Sequence, residues 1–180
     1  MTEFNTIQTI KRRFFAMRNG IVADTLRRAG SPFKIIFGLN MPQITEIASD
    51  TTPDPDLARQ LWANSSTRES MLMAPMIMPA DAISVEESME WIEKSPSSEV
   101  TDVLCHRLLR HHPMSYEMAC RMSLSDSDMQ RYGAMRLLWH HLTQHPDAIK
   151  IIAQSELNRN CMLTHQPAIQ IIEELDFMAE

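Results

Sequence analysis

Prolines and small polar residues divide this chain of 180 residues into about ten short segments, and this division limits the folds that it can adopt. Leu, Met, Ala, Glu and Arg dominate the segments, whereas the alternating β-branched residues that are typical of strands are scarce. Several segments begin with proline behind a capping residue such as Thr52 or Ser95, where the missing backbone N–H costs nothing. These patterns predict an all-α protein.

The breaks between segments also give the bounds of the expected helices. Gly30, for example, follows the last periodic residue of its segment, as glycine often does at the C-terminus of a helix. The predicted helices are residues 3–18, resuming to residue 28 after a break near Asn19, then 42–49, 55–63, 67–78, 84–94, 96–110, 113–122, 126–144, 146–158 and 167–178. Short helices joined by short links are typical of stacked helical hairpins, and a compact bundle is the alternative.

The composition fits a single domain of residues 1–180, since 44% of the residues are hydrophobic and can build a sizeable core. The three cysteines, at 105, 120 and 161, form an odd and widely spaced set, which indicates neither a disulfide framework nor a zinc finger. No apolar run approaches the ~20 residues of a membrane-spanning helix, and no signal peptide precedes the first segment. We expect a soluble, cytoplasmic protein without a cofactor.

Basic residues are concentrated near the N-terminus, although the net charge of the chain is −6. Residues 1–40 hold seven basic and two acidic residues, whereas the remainder holds ten basic and twenty-one acidic ones. Lys11, Arg12 and Arg13 stand together in this region and are candidates for contact with the phosphates of a nucleic acid. The alternative is that they form only the solvated polar face of the first helix.

Four short motifs between Phe37 and Ala74 resemble those of a known family. They are Phe37-Gly38-Leu39-Asn40-Met41-Pro42, Leu61-Trp62, Arg68-Glu69 and Met71-Leu72-Met73-Ala74. A glycine turn before a helix, a Leu-Trp pair and a Glu-rich helix start, at about this spacing, resemble the AlkD-type DNA alkylation repair family. The resemblance covers roughly residues 30–145. It implies a HEAT-like superhelix of helical repeats, duplex DNA as the partner, and excision of cationic N3- or N7-alkylated purines.

The resemblance places the catalytic acid at Asp102. Family members carry tryptophan, aspartate, two further residues and a second aspartate, where this chain reads Ser98-Glu99-Val100-Thr101-Asp102. In the family, the last aspartate stabilises the positive charge that develops on the deoxyribose as the glycosidic bond breaks. Asp102 matches that acid, but Ser98 replaces the tryptophan that cradles the sugar. Because Asp102 lies opposite the apolar stripe of its helix, we expect it to be accessible.

Among the other positions compared with the family, one supports DNA binding and two count against catalysis. Arg131 stands where the family has an arginine near the DNA cleft, and its guanidinium suits a phosphate. Met71, in contrast, replaces an arginine of the family's Glu-x-Arg pattern, and no tryptophan follows Leu142. We therefore expect DNA binding ahead of catalysis. The alternative is a non-catalytic helical-repeat module that binds another protein.

Two groups of residues have an ordinary structural explanation. The methionines of residues 71–78 can line a binding groove, but methionine at helical spacing more often fills a core. His141 and His145 have the spacing of metal ligands on a helix, yet Pro146 is expected to end the helix there and no cysteine or aspartate accompanies them. We predict core methionines and no metal.

Overall fold

The structure, a computed structural model that describes residues 6–179, is helical throughout. These residues form eleven α-helices and two 3₁₀ helices, with no strand beyond an isolated bridge between Ile35 and Thr67. The α-helices are α1 Thr6–Ala16, α2 Gly20–Arg28, α3 Met41–Ser49, α4 Pro55–Ala63, α5 Arg68–Ile77, α6 Val85–Glu93, α7 Ser98–Arg107, α8 Ser115–Ser123, α9 Asp128–Leu138, α10 Pro146–Leu157 and α11 Met162–Ala179. The all-α prediction is confirmed.

Capping residues explain why the helices begin where the breaks in the sequence place them. The side chain of Asn19 accepts hydrogen bonds from Ile21 N and Val22 N, which starts α2 after the predicted interruption. Asn40 and Gln43 form a reciprocal capping box at the start of α3. The predicted start of the first helix at residue 3 lies outside the described residues.

Two predicted bounds are wrong at the ends of longer helices. Helix α11 begins at Met162 rather than at Pro167, which lies inside the helix. Pro167 is the sixth residue of this helix, and its ring removes the N–H that would otherwise bond the carbonyl oxygen of Leu163. The segment predicted as 126–144 continues from α9 into a 3₁₀ helix, Trp139–His141, instead of remaining α-helical.

The described residues form two compact units, the first ending at Ile83 and the second beginning at Ser84. The expectation of one domain for residues 1–180 stays a prediction. In the first unit, α5 contacts α3 and α4, and α1 contacts α4. Met71 and Met73 lie fully buried in α5, so the prediction that these methionines belong to a core is confirmed.

The glycine turn of the first unit is held by a buried carboxylate. Gly38 has a φ of 81°, and a Cβ added there would lie 2.1 Å from the carbonyl oxygen of Asn19. The carboxylate of Glu69 accepts hydrogen bonds from the backbone N–H groups of Phe37, Gly38 and Leu39, at 3.1, 2.9 and 3.3 Å. The motifs at Gly38 and Glu69 therefore meet in space and have a structural role.

In the second unit, α9 contacts α6, α7, α8 and α11, and α10 contacts α11. Helices α7 and α9 run parallel, because contacts between them advance by four residues on both. Thr101 Oγ1 lies 3.2 Å from Met129 Sδ, and Cys105, four residues later, donates to the carbonyl oxygen of Gly133 (3.7 Å). Two parallel neighbours joined through an antiparallel partner, α8, are what stacked helical hairpins produce.

Candidate functional site

Asp102 is held in one orientation at the junction of α7 and α9. Tyr132 Oη and Arg136 Nε both donate to Asp102 Oδ1, each over 2.8 Å. The side chain of Asp102 is 38% exposed, which agrees with the accessible position that the helical pattern predicted. Burial, and then the hydrogen bond to Asp102, raise the pKa of Tyr132, so the phenol stays protonated and keeps donating. The carboxylate is therefore oriented from one side and open on the other.

Ser98 begins α7 one turn before Asp102 and is half-buried. The hydroxyl of Ser97, the preceding residue, accepts from Val100 N and caps the helix. Thr101, in contrast, points into the unit, where it donates to Ser95 Oγ over 2.9 Å and is fully buried. Ser98 and Asp102 thus lie on one face of α7.

Basic side chains continue from Asp102 along α7 and α9 and into the 3₁₀ helices that follow them, Leu109–His111 and Trp139–His141. Asp102, His106 and Arg110 follow each other at intervals of four residues, as do Tyr132, Arg136 and His140. The rings of His106 and His140 lie 5.6 Å apart, centroid to centroid. We call this surface, which also includes Arg107, the cationic face. It comprises His106, Arg107, Arg110, Arg136 and His140.

Two histidines show that the field of this face is positive. Burial, followed by the charges of Arg110, His106, His141 and Arg136 in that order, lowers the pKa of His140 to about 4. Burial and neighbouring basic residues, Arg110 first, also lower the pKa of His106. Both imidazoles are therefore neutral at pH 7, and the arginines supply the positive charge. An anion is the ligand that this arrangement attracts.

Cys105 lies behind the face, fully buried between α7 and α9. Its thiol donates to the carbonyl oxygen of Gly133 over 3.7 Å. Burial, followed by the negative charge of Asp102, raises the pKa of this thiol well above its ordinary value. Cys105 thus serves as an apolar filler beneath Asp102 rather than as a nucleophile.

Arg131 lies inside the second unit and not on the cationic face. Its Nε donates to Glu156 Oε1 and its Nη1 to the carbonyl oxygen of Ser125, each over 3.0 Å, and its Nη2 bonds Asp128. Glu156 also accepts from Thr164 Oγ1 over 2.7 Å. The side chain of Arg131 is only 6% exposed, so the predicted phosphate contact would require these bonds to break. In this position Arg131 joins α9 to α10.

The three basic residues predicted to touch DNA lie on α1, in the first unit. Lys11 and Arg12 are exposed. Arg13 is half-buried and donates to Asp50 Oδ2 over 2.8 Å, with Glu46 3.8 Å away. Two acidic neighbours therefore offset the charge of Arg13.

The histidines considered as metal ligands make other contacts. His145 stacks on Tyr116 with ring centroids 3.8 Å apart, and His141 Nε2 lies 3.1 Å from Ser115 Oγ. Among residues 6–179, no three histidine, cysteine or acidic side chains are grouped so as to hold a metal ion. Over the same range, no helix has the length and apolar character needed to cross a membrane.

Sequence reasoning identified Asp102 but not its partners. Tyr132 and Arg136 are thirty or more residues away in the chain. The repeated spacing of four residues in Asp102, His106 and Arg110 was visible in the sequence and could have indicated a charged face. This spacing could not indicate that α9 and the 3₁₀ helix after it supply the facing side chains Tyr132, Arg136 and His140.

Comparison with known proteins adds one match. The family model described as DNA alkylation repair enzyme matches residues 10–166, which is most of the chain and includes Asp102 and the whole cationic face. No curated protein and no solved structure gives a significant match.

Proposed function

The chain belongs to the DNA alkylation repair enzyme family, and we propose that it binds duplex DNA with the cationic face of the second unit, placing Asp102 beside a deoxyribose. Lys11 and Arg12, in the first unit, are proposed as separate phosphate contacts. The observation that carries this proposal is the position of Asp102, an oriented and half-exposed carboxylate at the edge of the arginine cluster. We further propose that the helices form a HEAT-like superhelix, which the parallel stacking of α7 and α9 supports.

Arginine suits the phosphate backbone because its planar guanidinium donates two parallel hydrogen bonds and keeps its charge at any physiological pH. The neutral histidines between the arginines add donors without the repulsion that further fixed charges would cause. Binding of this kind is governed by the release of counterions from DNA, so it weakens steeply as salt rises. The overall net charge of −6 lowers the affinity most at low salt, since the rest of the chain repels DNA and salt screens this repulsion.

The reaction that fits Asp102 is the excision of purines alkylated at N3 or N7. Such a base already carries a positive charge, so the electron pair of the glycosidic bond can leave with it and neutralise it. Positive charge then develops on the sugar, where a fixed carboxylate stabilises it. Water adds to C1′ and releases a proton, which completes the hydrolysis. Neutral lesions lack this driving force and should not be excised.

Two features of the site point to slow excision. Arg136 Nε lies 2.8 Å from the same carboxylate, and its positive charge opposes the stabilisation that Asp102 can give to a cationic sugar. Ser98 offers no aromatic face to the sugar. We therefore propose that DNA binding is the main activity and that excision is weak.

A second candidate function is a protein-binding module without catalysis. It is favoured by apolar side chains that α10 and α11 expose to solvent, because exposed apolar patches often mark sites of protein association. The most exposed are Ile151, Met162 and Phe177, at 66%, 96% and 73%. In that case the cationic face would be an ordinary solvated surface.

The deciding experiment is the titration of a labelled duplex at two salt concentrations. We expect affinity to fall with salt, and the slope of log K against log salt to become less steep by about one for each phosphate-contacting arginine that is removed. Arg107→Gln and Arg110→Gln should each show this change. Arg121→Gln is the matched control, because Arg121 is an exposed arginine on α8 whose neighbour is Glu86. A triple variant that replaces Lys11, Arg12 and Arg13 with alanine should also weaken binding.

Absence of duplex binding at low salt would remove the proposal. Equal salt slopes for the wild type, the two single variants and the triple variant would also contradict it, since binding would then use none of these residues.

A further inference from the structure

Trp139 is the accessible tryptophan among the three in the chain. Its side chain follows α9 in the 3₁₀ helix and is 39% exposed, whereas Trp62 and Trp91 are 8% and 5% exposed. A large aromatic ring at the surface costs free energy in water, and its π-face is available to another planar group. Nothing in the excision mechanism uses this ring.

A small cavity lies directly beside Trp139. Its volume is about 210 Å³, and the residues that line it come from the 3₁₀ helix, the turn that follows, and the C-terminal half of α11. They are Trp139, His140, Leu142, Thr143, Glu174 and Met178. This volume is below the ~300 Å³ at which pockets for drug-sized ligands begin, and it suits a fragment the size of one heterocyclic base.

The cavity is next to the cationic face because His140 belongs to both. The ring of His140 lies 5.6 Å from that of His106, and its pKa responds to Arg110 and Arg136. Trp139 also follows Arg136 by three residues, which places the two side chains on neighbouring positions of one helical turn. A chain of phosphates held by the arginines would therefore run past the mouth of the cavity.

We propose that this cavity takes one unpaired nucleobase of DNA, which stacks on the indole of Trp139 while Arg110 and Arg136 hold phosphates on either side. The Glu174 carboxylate can accept a hydrogen bond from a base N–H group at the far side of the cavity. In an intact duplex the faces of the bases are covered by their neighbours, so a base must be unpaired and displaced before it can stack on a side chain. The protein then prefers duplexes with a bulged nucleotide over perfectly matched ones.

This inference rests on the proposed function in that the same cationic face holds the DNA. The contribution of base stacking to the affinity is separate from that of the phosphate contacts, however. Stacking on an aromatic ring does not depend on the sequence of the DNA and is not a counterion effect. Loss of one stacked base is expected to weaken binding by roughly tenfold. Binding to a matched duplex does not use the cavity and should stay unchanged.

The test compares three labelled DNAs at one salt concentration: a matched duplex, the same duplex with one bulged nucleotide, and a single strand. The proteins are the wild type, Trp139→Ala and Trp139→Phe, with Ile151→Ala as the control because Ile151 is also an exposed apolar residue of the second unit. We expect the wild type and Ile151→Ala to bind the bulged duplex about tenfold more tightly than the matched one. Trp139→Ala should lose this preference, and Trp139→Phe should retain part of it.

Tryptophan fluorescence gives an independent readout. Because Trp62 and Trp91 are buried, iodide should quench mainly Trp139, and bulged DNA should protect it from iodide. Equal affinity for bulged and matched duplexes, with no protection of Trp139, would overturn the inference and leave the proposed duplex binding intact. Binding of bulged or single-stranded DNA without any binding of matched duplex would instead support the inference and remove the proposed duplex binding. Absence of binding to all three DNAs would overturn both.

Discussion

Arg136 Nε donates to Asp102 Oδ1 over 2.8 Å and joins two parallel helices through side chains that are both more than a third exposed. Solvent screens such a pair, so its contribution to the free energy of unfolding is small, at about 0–1 kcal/mol. Its effect is to fix the direction of a carboxylate. Arg131 lies five residues earlier on the same helix. Its pair with Glu156 is almost fully buried, so we expect this pair to contribute more to the free energy of unfolding than the exposed pair of Arg136.

We expect Arg131→Gln to lower the free energy of unfolding by about 3–5 kcal/mol, since the buried Glu156 carboxylate then keeps only the hydrogen bond from Thr164 and the more distant Arg159, 3.8 Å away. Arg136→Gln should lower it by less than about 1 kcal/mol. Urea denaturation followed by circular dichroism measures both values. Similar losses for the two variants would mean that the burial of Arg131 has no energetic consequence.

Gly38→Ala should strongly destabilise the first unit. A methyl group at Gly38 meets the carbonyl oxygen of Asn19 at 2.1 Å, and the φ of 81° is unfavourable for alanine in any case. We expect a loss above ~2 kcal/mol in the free energy of unfolding. Gly30→Ala and Gly20→Ala are graded controls, because Gly30 has a φ of 85° with open space around it and Gly20 has open space without a positive φ. The order of stability should be Gly20→Ala, then Gly30→Ala, then Gly38→Ala.

Asp102→Asn tests the proposed chemistry. The amide keeps the size of the side chain but loses the negative charge, so release of N3- and N7-alkylated purines from treated DNA should fall while duplex binding is retained. The change is measured as released base per unit time for both proteins at saturating DNA. Release by the variant at the rate of the wild type would exclude an electrostatic role of Asp102.

Ser98→Trp tests whether the missing aromatic ring limits excision. Ser98 is half-buried at the first turn of α7 and faces the same side as Asp102, so an indole there can lie against a bound sugar. We expect excision to increase relative to the wild type. A folded Ser98→Trp protein that binds DNA and still releases no alkylpurine would favour the non-catalytic function.

Acid should destabilise the second unit through His140. Burial and its basic neighbours hold the pKa of His140 at about 4 in the folded chain, against about 6.5 for an unfolded histidine. Between these two values the unfolded state binds a proton that the folded state does not, so stability falls as the pH decreases from 6.5 to 4. His140→Gln should show a smaller decrease of Tm over this range. Parallel curves for the two proteins would contradict the lowered pKa.

The sequence was sufficient for features that depend on near neighbours in the chain. The starts of α4 at Pro55 and α10 at Pro146 follow from proline in the first helical turn, and the half-exposed position of Asp102 follows from helical periodicity. The start of α11 did not follow, because proline is most common in the first turn of a helix, whereas Pro167 is the sixth residue of α11.

Features that depend on distant parts of the chain could not be predicted in this way. The burial of Arg131 depends on Glu156, which belongs to the next helix, and a charged residue on a helix is normally exposed. The partners of Asp102 depend on the parallel arrangement of α7 and α9, which neither helix encodes alone. The role of Glu69 likewise depends on a turn thirty residues earlier.

The burial of Cys105 has a chemical consequence for a protein of this family. Reagents that alkylate DNA are electrophiles, and among protein groups they react fastest with a thiolate. Cys105 is kept protonated and out of solvent only three residues from Asp102, so such reagents would leave the surroundings of the carboxylate unmodified. Cys120 and Cys161, which are partly accessible, would be modified first and at a distance in sequence from that carboxylate. Alkylation of the accessible thiols is therefore not expected to extend to Cys105.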